Sequence, residues 1–171
     1  MESESTIEYG FKKWVIAITV IVCSLLELID TSIVNVATTQ LMGNLGATLS
    51  EVSWVIAAYG IANVIIVPMS GWLSAQFGRK NYFAFSIVVF TVASFLCGNS
   101  TSIWELVAFR FIQGIGGGAL LATSQTILFE TFPPEQKGLA SALYGIGVLM
   151  GPTLGPTIGG YIIDDYNWPY I

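Results

Sequence analysis

Glu27 and Asp30 stand three residues apart in the apolar run 14–36, which carries no other charge. A second apolar run, 103–129, holds Arg110 in its interior and Glu105 near its start. An ionisable group at the centre of a membrane helix costs about 3 kcal/mol and normally faces a partner or a wet cavity. At the rise of an α-helix, Asp30 lies about 10 Å from one end of its run, and Arg110 about 10–12 Å from the same side. Their equal depth allows an ion pair that locks two helices together, or a carboxylate and a cation that take part in proton exchange. Glu27 lies about one turn deeper. One cation cannot neutralise two carboxylates fully, so Glu27 is the better candidate to gain and lose a proton.

The neighbours of these acids point the same way. Ser24, Glu27, Thr31, Asn35 and Thr38 form a polar stripe at helical spacing, with Asp30 on its shoulder. Such a stripe implies a helix that lines a water-accessible cavity, with Thr31 and Asn35 in its wall. Tyr59 and Asn63, one turn apart in another apolar run, either join that wall or make interhelical hydrogen bonds. Glu105 and Glu130 fall near run ends and read as interface residues. Other chemistry lacks its residues. There is no histidine, and Cys23 and Cys97 lie in apolar runs as small hydrophobes. With no metal cluster, nucleophile–base pair or phosphate loop, no enzyme, metal or cofactor is expected, the proton gradient being the energy source.

The elements that carry these groups must be membrane helices. Of 171 residues, 54% are hydrophobic and 10% charged, against roughly 25% charged in a soluble domain. A net charge of −5 with no basic patch excludes nucleic acid as a partner. Five segments reach the roughly 20 apolar residues needed to cross a bilayer: about 14–36, 52–73, 82–98, 103–129 and 139–163. Lys12 and Lys13, Arg79 and Lys80, and Lys137 all fall in loops of one side. The positive-inside rule places that side, and the N-terminus, in the cytoplasm of a plasma (inner) membrane protein. The expected organisation is a cytoplasmic segment 1–13 and a transmembrane region 14–171. The final "DDYNWPYI" reads as leading into a sixth span, so the chain reads as the N-terminal part of a larger all-α membrane protein.

The fifth span contains "GIGVLMGPTLGPTIGG", with Gly147, Gly151, Gly155 and Gly159 every four residues and Pro152 and Pro156 between them. Glycines at that spacing share one face and admit another backbone closely. Gly114 and Gly118, continued by Ala122, give the fourth span a similar small face. Trp14, Trp54 and Trp104 near span ends read as interface anchors.

Four stretches together resemble the major facilitator superfamily, and within it the fourteen-span drug:proton antiporters of the EmrB/QacA type. "LIDTSIVNVA" (28–37) is similar to the first-span signature, with Thr39 where a proline usually follows. "GWLSAQFGRK" (71–80) is similar to the cytoplasmic loop motif, with Ala75 in place of its acid. "LVAFRFIQGIGGG" (106–118) is similar to the span-four motif, and "GPTLGPTIGG" (151–160) to the antiporter motif of span five. The resemblance implies that Asp30 and Arg110 serve proton coupling, with Gln113 and Gly114 in the same span-four motif. It implies that Gly71, Gly78, Arg79 and Lys80 form a cytoplasmic gate. It assigns Gly151, Gly155, Pro156, Gly159 and Gly160, with Pro152 in the same motif, to the interface with the partner half.

The expected function is proton-coupled export of drugs or other amphipathic compounds, with this chain as a truncated portion. The implied partners are the lipid bilayer, protons, hydrophobic or cationic small molecules and, for a tripartite pump, a periplasmic adaptor and outer-membrane channel. Five spans cannot form both halves of an alternating-access carrier, so this stretch alone is not expected to transport. Two other functions compete. One is an importer or uniporter of a small polar nutrient, against which the span-five ladder counts. The other is a non-transporting membrane fragment or scaffold, against which the buried charges count.

Overall fold

The computed structural model describes residues 2–165, and the expected lead into a sixth span, 166–171, lies outside them. Its five helices are α1 Glu2–Leu45, α2 Leu49–Phe77, α3 Arg79–Gly98, α4 Ile103–Thr131 and α5 Lys137–Asp165, with a short 3-10 turn at Pro134–Gln136 before α5. All five are long and apolar enough to cross a membrane. Apolar surroundings supply no partner for a free backbone group, so each span satisfies its N–H and C=O groups along its own length.

Local chemistry sets the breaks. Gly46, at φ 61°, and Gly78, at φ 81°, turn the chain between α1 and α2 and between α2 and α3, a conformation that glycine adopts freely. Thr48 caps α2 reciprocally: its hydroxyl accepts from the Glu51 N–H at 3.3 Å, and Glu51 Oε2 accepts from the Thr48 N–H at 2.8 Å. Ser102 caps α4 by accepting from the Glu105 N–H at 3.3 Å. α1 extends past the expected span 14–36 at both ends, taking in residues 2–13 and 38–45. The polar side chains there fold back onto the helix. Thr38 donates to the Asn35 carbonyl at 3.1 Å and Asn44 to the Gln40 carbonyl at 2.9 Å.

α4 is the hub, packed against α2, α3 and α1, while α5 lies along α1. Small residues permit these approaches. A Cβ on Gly114 would stand 2.6 Å from the Tyr59 carbonyl oxygen of α2, and one on Gly116 2.7 Å from the Phe90 nitrogen of α3. Gly147, Gly151, Gly155 and Gly159 are buried against Ile21, Leu28, Ser32 and Ile33 of α1. The ladder therefore packs against α1 of this chain. Of the other motif residues, Pro152 and Pro156 are exposed and Gly160 is half-buried with open space beside it.

The interior has two apolar layers. One gathers Ile33, Val34, Leu41, Val52, Val55 and Leu106. The other gathers Ala17, Val20, Leu120, Leu128 and Phe132, with Tyr144 at its edge. Ser24, Glu27 and Asp30 of α1, all less than 9% exposed, occupy the level between them.

Candidate functional site

The level between the apolar layers holds a closed cluster and an open one. In the closed cluster, Arg110 Nη1 donates to Asp30 Oδ2 at 2.7 Å and Gln113 Nε2 donates to Asp30 Oδ1 at 3.0 Å. Cys97 Sγ donates in turn to Gln113 Oε1 at 3.6 Å. Arg110 and Gln113 lie three apart on α4, so one helix face presents both donors to one carboxylate. Both Asp30 oxygens are occupied. A cavity of about 30 Å³ adjoins Asp30, Arg110 and Gln113, enough for a water molecule.

Glu27 makes the open cluster. It is 3% exposed. Tyr59 donates its hydroxyl proton to Glu27 Oε1 at 2.7 Å, while Glu27 Oε2 has no hydrogen-bond partner among the described residues. The Arg110 guanidinium stacks over the Tyr59 ring at 6.0 Å rather than bonding Glu27. The tyrosine thus separates the cation from the second acid. Gly117 makes room for this contact, because a Cβ there would run into the Tyr59 hydroxyl and stand 3.2 Å from Glu27 Cγ.

The polar stripe of α1 is divided. Ser24 and Glu27 are buried against neighbouring helices, whereas Thr31 and Asn35 are exposed and Thr38 half-exposed. Thr31 donates to the Glu27 carbonyl at 3.0 Å. Tyr59 is a partner of Glu27, and Asn63 is half-buried with its side-chain oxygen unpartnered. At the end of the bundle carrying the basic residues, Arg79 pairs with Glu130 at the C-terminal end of α4. Where the loop motif's usual acid is replaced by Ala75, the arginine takes its counterion from another helix. Gly71 and Lys80 are exposed. A cleft of about 550 Å³ opens beside Arg79 and is lined by Ser70, Ser74, Gln125, Thr126 and Tyr144.

Two of these residues escaped the sequence reading. Gly117 was signalled by the run of three glycines at 116–118, of which only the four-residue spacing drew attention. Tyr144 gave no signal, since its role depends on which helix lies alongside, and Glu130, read as an interface residue, gave none of its pairing with Arg79.

Apolar helices packed about one hub, with acids and a cation buried between them, define a helical membrane protein of transporter architecture. The Major Facilitator Superfamily model matches residues 20–171, and the chain belongs to that superfamily. The chain is 38% identical over its full length to the multidrug export protein EmrB of Escherichia coli K12, of which it covers 33%. It is 38% identical over 85% of its length to the fatty acid resistance protein FarB of Neisseria gonorrhoeae, and over 86% to multidrug resistance protein 3 of Bacillus subtilis. It covers 29% and 28% of those two. The chain therefore spans about a third of the length of the curated relatives it matches. A bacterial homologue of the human lysosomal transporter Spinster, solved inward-facing and unoccupied, superposes with a TM-score of 0.77. That match covers 88% of this chain and 32% of the other at 17% identity, and shows the shared fold.

Proposed function

We propose that these five helices belong to a proton-coupled exporter of drugs and other amphipathic compounds, working by antiport in the inner membrane. Glu27 carries the reading: a buried carboxylate inside a membrane helix, held by a tyrosine, with one oxygen unpartnered. A group in that state can be neutral or charged without rebuilding the bundle. Asp30 is tied to Arg110 and Gln113, and serves to couple the position of α1 to that of α4. The export of drugs and resistance to fatty acids named for the relatives support an amphipathic substrate. Thr31, Asn35 and Asn63 line the substrate path, and the Arg79–Glu130 pair holds the cytoplasmic gate. The N-terminus lies in the cytoplasm, as the basic residues favour. A periplasmic adaptor and an outer-membrane channel complete the assembly.

Everted vesicles containing the complete carrier test this reading through gradient-driven movement of a lipophilic cation dye. Asp30→Asn abolishes transport, and Glu27→Gln abolishes its dependence on the proton gradient while dye binding persists. Wild-type transport by both variants overturns the proposal.

A further inference from the structure

Glu27 needs a way to exchange its proton with water, and the packing around it is asymmetric. Toward one end stand Asp30, with both oxygens already bonded by Arg110 and Gln113, and the apolar layer of Ile33, Val34, Leu41, Val55 and Leu106. Toward the other end stands Ser24, one turn away on the same face of α1, where side chains are about 5–6 Å apart at Cβ. Ser24 is 1% exposed, and its hydroxyl, like Glu27 Oε2, has no hydrogen-bond partner among the described residues. A buried hydroxyl and a buried carboxylate oxygen left unpaired on one helix face call for a function. Beyond Ser24 lies Tyr144 of α5. Ser24 and Glu27 of α1 lie on its side of the bundle, and its hydroxyl donates to the Leu121 carbonyl of α4 at 3.2 Å. The same tyrosine lines the cleft of about 550 Å³ that opens beside Arg79.

We propose that Ser24 and Tyr144 form the proton path between Glu27 and the cleft at the basic end of the bundle. In release, the Glu27 carboxyl gives its proton to Ser24 Oγ, directly or through one bridging water. Ser24 passes its own hydroxyl proton to Tyr144, and Tyr144 passes its own to water in the cleft. Glu27 ends as a carboxylate, one proton is gained by the cleft, and both hydroxyls rotate back to their starting positions. Uptake from that side runs the same steps in reverse. The other groups around Glu27 are Asp30 and Thr31 on α1, Tyr59 on α2 and Arg110 on α4. Tyr59 bonds the oxygen opposite the path and holds the carboxylate in place. Both oxygens of Asp30 are already bonded, one by Arg110 and one by Gln113. Tyr144 is thus the polar group that carries the path past the edge of the second apolar layer, which otherwise excludes water.

The inference rests on Glu27 as the proton carrier, and its test separates the two ideas. The complete carrier is placed in lipid nanodiscs, the pH is stepped, and the carboxyl stretching band is followed by time-resolved infrared spectroscopy. A band that survives Glu27→Gln overturns the carrier reading and the path with it. If the band is lost, Tyr144→Phe and Ser24→Ala are measured against wild type. Each slows the band's response by roughly a hundredfold, the low end of what a positioned proton-transfer group contributes, while the pH midpoint stays in place. A purely structural role would shift the midpoint instead. Rates within a factor of about two of wild type in both variants, with helicity by circular dichroism intact, overturn the path.

Discussion

At the residue scale, the two acids of α1 differ through what α2 and α4 set against them. Asp30 has two donors on two oxygens, and Glu27 has one donor on two. The pairing of Asp30 with Arg110 was legible in the sequence, because depth along a helix follows from residue count alone. The role of Gln113 was not, because it depends on the rotation of α4 about its own axis. Gly117 shows the same limit from the other side: its lack of a side chain matters only once Tyr59 and Glu27 are seen beside it. A methyl at 117 must displace the tyrosine hydroxyl from Glu27. Gly117→Ala is therefore expected to lose the Tyr59–Glu27 hydrogen bond and to destabilise the bundle by about 1–3 kcal/mol, the usual cost of overpacking. Thermal unfolding in detergent checks the stability. The ultraviolet absorbance of Tyr59, in a background where the other tyrosines are phenylalanine, checks the bond. A variant as stable as wild type with an unchanged tyrosine spectrum would mean that the helices give way at no cost.

At the element scale, α5 is held to α1 by a face without side chains. The glycine ladder was legible as a close-packing surface from its spacing, but its partner was not. Small residues show that a neighbour comes near and are silent about which helix it is. The structure sets Leu28, Ser32 and Ile33 of α1 on that face, and Ser32 donates to the Gly151 carbonyl at 3.2 Å. The prolines of the same motif point away and are exposed. Two substitutions one residue apart should then differ sharply. Gly155→Val drives a branched side chain into Ser32 and separates α5 from α1, at a cost of about 3 kcal/mol or more. Pro156→Ala restores a backbone donor on the open side and leaves the contact between the helices intact. Disulfide crosslinking between cysteines placed at Ile21 and Gly147, the next contact along the same face, reads the difference. Crosslinking is expected to persist in Pro156→Ala and to fail in Gly155→Val. Equal crosslinking in both would remove the ladder as what joins the two helices.

At the scale of the whole molecule, the outer surface and the distribution of charge decide how the bundle sits. Val64, Leu149, Phe95 and Phe85 are each at least 65% exposed, a surface that suits hydrocarbon and not water. The spans were legible because this apolar content exceeds what a soluble chain tolerates. Helix ends were less so, because α1 runs on through polar residues that satisfy themselves against its own backbone. Arg79, Lys80 and Lys137 all fall at the end where α2 and α4 finish, and Glu130 joins Arg79 there. The connection between α3 and α4, 99–102, holds no basic residue. The positive-inside rule then predicts that the first end faces the cytoplasm. Single cysteines placed at Gln76 and Asn99, both exposed, report the outcome once Cys23 and Cys97 are replaced by alanine. In intact cells, a membrane-impermeant maleimide is expected to label the Asn99→Cys variant and to spare the Gln76→Cys variant. Everted vesicles are expected to give the reverse. Labelling of Gln76→Cys from outside would invert the bundle, and the cleft that receives the proton from Tyr144 would then open to the periplasm.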